Sequence, residues 1–218
     1  MASKLKTESG NWDNFWRMNR DSRFTKISWS KRRIIGILDP FAKSGLNVLD
    51  AGSGSGFFSN YFISKNCNVY SLDYSEDALD ITRRVTLGRS KEYIKADLLD
   101  ERFGERYLNT FDVIFTDGLF EHFSAFEQKK IMDNFRRVKK DDGTVFTFVP
   151  NRFSFWTVVR PFFMPGIHEV PFTRKKLLEL HQGMKIVGDG GLNVLPVPLS
   201  PDRLLGPLLG MIVYVVAV

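Results

Sequence analysis

Val48-Leu49-Asp50-Ala51-Gly52-Ser53-Gly54-Ser55-Gly56 decides how the rest of this chain is read. An apolar run ends in an acid, and three glycines follow within five residues. Phe57 to Lys65 then continues as an apolar helical segment. A glycine-rich turn between a strand and a helix lets backbone approach a ligand closely and offers it N–H donors. That much is common to many nucleotide-binding proteins. Two residues narrow it. The dinucleotide pattern Gly-x-Gly-x-x-Gly is met at Gly52 and Gly54 but fails at Phe57, because the third glycine stands one place early at Gly56. Asp50 sets a carboxylate two residues before Gly52, where it repels a pyrophosphate and suits a ligand with an ammonium group and no phosphate.

Outward from this loop the pattern alternates. Asn68-Val69-Tyr70-Ser71-Leu72-Asp73 reads as a second strand, and Ser75 with Glu76 and Asp77 opens a helix to about Leu87. Tyr93 to Ala96 is a short third strand, Phe111 to Thr116 a fourth, and Phe126 to Val138 a helix. Asp141-Asp142-Gly143 reads as a turn, with a fifth strand from Gly143 to Val149. Strands and helices alternating at these lengths imply a mostly parallel sheet covered on both faces by right-handed crossovers.

The flanks are different. Asn11 to Arg20 places Trp12, Phe15, Trp16 and Asn19 on one helical face, which serves as part of a lid or as core. Ser30 is expected to cap a helix from Lys31 to Leu38, and Asp39-Pro40 interrupts it. Residues 151–172 are rich in Phe and Pro and have no clear period. Thr173 caps a helix to about Gln182, ended by Gly183. Lys185-Ile186-Val187 and Met211 to Val218 can pair as a hairpin at the sheet edge. The expected fold class is α/β: a Rossmann-like doubly wound sheet, mostly parallel, with an antiparallel C-terminal edge strand and helices on both faces.

Composition agrees with one sizeable core in 218 residues: 43% are hydrophobic, 26% are charged, and 20 are Phe. The net charge of +6 is spread over Lys31-Arg32-Arg33, Arg136-Arg137 with Lys139-Lys140, and Arg174-Lys175-Lys176. Short groups on helix faces and ends are read as solvated, and no nucleic-acid partner is expected. Cys67 is the only cysteine, so no internal disulfide and no cysteine-based zinc site can form, and no metal is expected. Met1 to Glu8 lacks the apolar stretch of a signal peptide, which points to the cytoplasm. Leu204 to Val218 carries no charge, yet it falls short of the ~20 apolar residues of a membrane span and contains Gly206, Pro207 and Gly210.

Two further acids describe the ligand. Asp73 ends the second strand, where a carboxylate can accept both hydroxyls of a ribose. Asp97, after the third strand, can accept the exocyclic amine of an adenine. Ribose, adenine and an amino-acid group without phosphate together make S-adenosylmethionine. At this point the chain resembles the class I S-adenosylmethionine-dependent methyltransferases of small-molecule type. The resemblance rests on Val48 to Gly56, Tyr70-Ser71-Leu72-Asp73-Tyr74-Ser75, Ala96-Asp97-Leu98, Phe111 to Phe115 with Glu121-His122-Phe123, and Arg136 to Thr144. It implies that Asp50, Gly52, Ser53, Gly54 and Gly56 hold the methionine part of the cofactor. Asp73 would bind the ribose hydroxyls and Asp97 and Leu98 would meet the adenine, with Tyr74 also at the cofactor and Thr116 and Asp117 near the sulfonium. Lys140-Asp141-Asp142-Gly143 departs from the usual Lys-Pro-Gly-Gly turn, and Ser53 stands where many relatives have Cys.

The acceptor is less legible. Methyl transfer mainly needs alignment and exclusion of water, and a base only if the acceptor loses a proton. Glu121 and His122 after the fourth strand are candidates for catalysis or for positioning the cofactor. His168, beside Glu169 in the aromatic insert, is the first choice for an acceptor-side base, and Arg160 for steering an anion. His181 is read as a helix cap. The insert suggests a small apolar or aromatic acceptor. RNA or protein methylation, and cofactor binding without chemistry, stay open as alternatives. Against the RNA and amide subclass, Thr116-Asp117-Gly118-Leu119 replaces an Asn/Asp-Pro-Pro-Tyr-type motif. The whole chain is taken as one domain: a helical cap over 1–44, a cofactor core over 45–150, and an acceptor-side lid, helix and closing strands over 151–218.

Overall fold

Strand β1 (Asn47–Ala51) sits in mid-sheet, flanked by β2 (Asn68–Asp73) and β4 (Phe111–Asp117), both parallel to it. In the computed structural model, which describes residues 9–19, 25–155, 157–158 and 169–218, seven strands form one sheet. With β3 (Glu92–Lys95), β5 (Lys139–Pro150), β6 (Ile186–Leu192) and β7 (Ile212–Ala217), the order is β3-β2-β1-β4-β5-β7-β6. The antiparallel C-terminal strand is β7. It pairs with both β5 and β6, so it stands one place in from the edge and β6 closes the sheet.

Successive residues of the central strands face opposite sides, as the strand period requires. Leu49 and Ile114 join a core with Phe103, Ile131, Phe135 and Leu177. Val48, Val113 and Phe115 join another with Ile34, Leu38, Phe58 and Phe62. Helices α5 (Glu101–Arg106), α6 (Ala125–Val138) and α7 (Arg174–Leu180) supply the first core, and α2 (Trp29–Leu38) and α3 (Phe57–Ser64) the second. Eight Phe side chains are among the largest fully buried ones, each worth about 1.5–3 kcal/mol of burial. Helix α4 (Glu76–Val85) follows β2 and packs against α1 (Ser9–Met18).

Several local expectations change. Ser28, rather than Ser30, caps α2 by accepting from the Lys31 N–H, and Ser30 instead receives a hydrogen bond from Asn193. The turn expected at Asp141-Asp142-Gly143 is a bulge inside β5, where the register jumps from Phe111↔Lys139 to Val113↔Thr144. The Lys139 ammonium folds over this bulge and donates to the carbonyls of Lys140 and Asp141. The Lys31-Arg32-Arg33 group is not simply solvated. Arg33 pairs with Asp202 at 2.9 Å, and Lys31 is partly buried. Helix α5, capped by Asp100, and α8 (Asp202–Leu209) arise where no helix was expected. Among the described residues, no helix is long and apolar enough to cross a membrane.

Candidate functional site

The strand order reverses at β1, since the chain runs outward from it to β2 and β3 and then returns to β4. Crossovers diverge there and leave a crevice at the carboxyl ends of the strands. A cavity of about 630 Å³ lies in that crevice. Its floor is the glycine loop. Gly52 and Ser53 donate their N–H groups to the Leu72 carbonyl at 2.8 and 2.9 Å. Gly56 starts α3 with φ +69°, and a Cβ there would lie 2.7 Å from the Thr82 backbone. Only glycine brings α3 and α4 this close. Above the loop lies α1. A Cβ on Gly54 would come within 2.6 Å of the Trp16 ring, so the indole rests on bare backbone.

Three acids ring this floor. Asp50 is buried and accepts from Ser59 Oγ at 2.6 Å. Burial pushes it up to about 7, and Asp73 and Asp117 add repulsion, against the Ser59 hydrogen bond. Asp73 accepts from the Gly54 N–H and the Ser75 N–H, each at 2.9 Å, and so ties the glycine loop to the start of α4. Burial lifts it to about 6 despite those bonds. Burial also lifts Asp117 to about 6, with Lys31 opposing. Carboxylates held above their ordinary range are under-neutralised, and a cation would lower their energy. Asp97, Leu98 and Tyr74 line the same cavity. Asp97 accepts from the Leu99 N–H at 3.0 Å, and Asn134 anchors the Leu98 carbonyl at 2.8 Å.

The opposite wall is built differently. Val149 and Pro150 from β5, Met211, and Ile212 from β7 give it an apolar surface. Lys31 enters from α2, its ammonium 4.1 Å from the centre of the Phe57 ring. Burial pulls Lys31 down to about 8, against the attraction of Asp117. At one end, Glu121, His122 and Glu169 place a ligand atom each within 4.8 Å of one another, a grouping that could hold a metal ion. Glu121 and His122 ride a 3-10 turn (Phe120–His122), with His122 Nε2 3.9 Å from Glu121 Oε1. The Trp12 ring meets His122 edge-on at 4.8 Å, and the Val170 N–H donates to the Glu121 carbonyl at 2.8 Å.

Of the residues expected at the site, Asp50, Gly52, Ser53, Gly54, Asp73, Tyr74, Asp97, Leu98, Asp117, Glu121 and His122 line the cavity. Gly56 shapes the loop from behind. Thr116 is not in the lining. It is fully buried in β4 and its hydroxyl faces the Phe146 carbonyl at 3.4 Å, since the strand alternation turns it away. His168 and Arg160 lie outside the described residues. His181 is buried beneath the sheet, between Thr147 Oγ1 at 3.0 Å and the Leu177 carbonyl at 2.9 Å, and burial pulls it down to about 4. It caps α7 as a neutral ring.

Lys31 and Glu169 escaped the reading of the sequence. Glu169 showed only as the neighbour of His168. Lys31 looked like one member of a basic group, although a cation in the first turn of a helix opposes the helix dipole and is a signal in itself.

Residues 48–143 match the family described as "Methyltransferase domain". No curated protein is significantly similar in sequence. Solved structures share the fold at low identity. A SAM-dependent methyltransferase from Anabaena variabilis is 18% identical with a TM-score of 0.71, over 99% of this chain and 96% of that one. The putative methyltransferase of Haloferax volcanii, solved with the Trm112 methyltransferase activator, gives 16% and 0.71 over 95% and 96%. N-methyltransferase NodS from Bradyrhizobium japonicum, solved with S-adenosyl-l-homocysteine, gives 13% and 0.67 over 95% and 97%. Residues 48–143 therefore match a methyltransferase domain, and the whole chain shares the fold of S-adenosylmethionine-dependent methyltransferases. The donor set fits S-adenosylmethionine, because the loop faces carboxylates where a phosphate ligand would need cations.

Proposed function

We propose that the protein moves the methyl group to a small apolar or aromatic acceptor held against the β5–β7 wall. The observation that carries this reading is the asymmetry of the cavity, acidic over β1 to β3 and apolar over β5 and β7. When bound, the cofactor supplies an electrophilic methyl group on a sulfonium, open to in-line displacement. The residues of this chain do the rest. Asp50 and the bare backbone of Gly52 to Gly54, whose N–H groups are given to Leu72 and Asp73, hold the amino-acid end by charge and close approach. Asp73, with Tyr74, accepts the ribose hydroxyls, and Asp97 with Leu98 meets the adenine. Asp117 faces the sulfonium region and favours positive charge there. Trp12 and Trp16 exclude water from above. Where the acceptor loses a proton, Glu121 and His122, and His168 from the insert, are the candidates to receive it.

The helical cap over 1–44, the core over 45–150 and the acceptor side over 151–218 then serve one reaction. The lone thiol Cys67, buried and pushed up by burial, suits a reducing compartment, and the cytoplasm is the proposed place of work.

A labelled-methyl assay tests the acceptor. Panels of apolar phenols, amines and thiols are run beside RNA and protein. Label in an organic-extractable small product supports the reading. Label that enters only RNA or protein overturns it.

A further inference from the structure

The cavity opens beside a surface that is apolar and cationic at once. Helix α8 shows Leu204, Leu205, Leu208 and Leu209 to solvent, with Leu204 83% exposed. Its other side is fixed: Gly206 meets Gly191 of β6 backbone to backbone, so the leucine face cannot turn inward. The segment before it adds Leu195, Val197 and Leu199, the last 91% exposed. Arg33 holds this segment in place through the carbonyls of Leu195 and Val197. One helical turn before Arg33 stands Trp29, exposed, with the Arg32 guanidinium over its ring at 5.8 Å. Asn151 donates to the carbonyls of Leu208 and Gly210, and so places exposed Phe153 and Phe155 beside the end of α8. These pieces adjoin the cavity wall directly, since Ile27, Ser30 and Met211 line it.

Large apolar side chains exposed together in this way mark an interaction site. Its charge says with what. Residues 25–33 hold four cations and no acid, and residues 151–158 hold Arg152 and no acid. Residues 193–211 hold Arg203 and one acid, Asp202, which is neutralised by Arg33. Lys26, Arg32, Arg152 and Arg203 are exposed around the apolar residues. Leucines and aromatics ringed by cations, with an exposed Trp, match the interface of an anionic lipid bilayer.

We propose that this face docks on an anionic lipid surface and turns the mouth of the cavity toward it, so that the acceptor is an amphiphile drawn from the bilayer. The second clause rests on the apolar-acceptor reading; the docking does not. Co-sedimentation of the full chain with vesicles tests it. Phosphatidylglycerol/phosphatidylcholine vesicles should carry the protein down, and pure phosphatidylcholine should do so at least ~10-fold less. Raising salt from 0.1 to 1 M should weaken the binding, because the screening length shrinks from about 10 to 3 Å. The Leu204→Glu/Leu208→Glu variant, changed only at exposed positions, should lose ~10-fold or more of vesicle binding while S-adenosylmethionine affinity stays the same. Absence of vesicle binding by the unmodified protein overturns the proposal, as does a double variant that binds vesicles as well as the parent. A dimer that this variant splits, without vesicle binding, would assign the face to a second copy instead. A protein that binds vesicles but methylates only polar, water-soluble acceptors keeps the docking and removes the acceptor reading.

Discussion

The two halves of the cavity are built on different plans. The donor half, over β1 to β3, is made of backbone and short acids at strand ends: Asp50, Gly52, Gly54, Asp73, Asp97. Each stands where regular structure stops, and hydrogen bonds between the loop, β2 and α4 fix it. The acceptor half comes from distant parts of the chain: Lys31 from α2, Glu121, Glu169, Val149 and Met211. Under the proposed function, the first half recognises a fixed molecule with a fixed set of contacts. The second is a lining that can change residue by residue without disturbing the loop beneath it.

Substitution at the donor loop should break the molecule most severely. Gly56→Val forces a branched residue into φ +69° and toward the Thr82 backbone 2.7 Å away. Strain and overlap together should cost about 3 kcal/mol or more, seen as a lowered melting temperature and loss of cofactor binding. An unchanged melting temperature would show that the α3–α4 approach is not rigid.

Acidity should separate the halves next. Asp50, Asp73 and Asp117 stand at about 7, 6 and 6, above the ordinary carboxylate value. Groups raised in this way favour the empty fold below about pH 4 and lose that contribution as pH rises through 6 to 7. A cationic ligand reverses the preference, because it needs the ionised forms. S-adenosylmethionine affinity should therefore strengthen by ~10-fold from pH 5.5 to 7.5. The demethylated product, whose sulfur is neutral, should show a shallower rise. Equal slopes for the two would remove the sulfonium from the account of Asp117. Lys31→Met should move the midpoint to higher pH, since Lys31 holds Asp117 down.

The smallest effect on the cofactor should come from the acceptor wall. Met211→Ala should change S-adenosylmethionine affinity by less than ~2-fold, because one thioether at the far wall adds only a little apolar contact. The same change should raise KM for an apolar acceptor. A large loss of cofactor affinity in this variant would show that the two halves are not separable.

This division also explains what the sequence disclosed. The strand-loop-helix sequence from Val48 to Lys65, Asp73 at a strand end and Asp97 after the next are local patterns, each fixed by its immediate neighbours. Strand alternation was legible for the same reason, down to the pairing of the last two apolar segments. Thr116 was misplaced because its facing depends on the pleat of β4 against β5. Lys31 and Glu169 reach the cavity through packing of segments far apart in the chain; the one local sign is Lys31 itself, a cation in the first turn of a helix. Ser28 caps α2 in place of Ser30, two residues earlier, because Ser30 is engaged by Asn193 from a distant segment.

Calorimetry tests the central claim most directly. S-adenosylmethionine, its demethylated product and NAD are titrated into the unmodified protein and into Asp73→Ala. Both sulfur compounds should bind and NAD should not. Asp73→Ala should weaken S-adenosylmethionine binding by ~10-fold or more, as loss of charge-assisted hydrogen bonds worth about 1.5–3 kcal/mol requires. Binding of NAD in preference to both sulfur compounds, or an unchanged affinity in Asp73→Ala, would contradict the account.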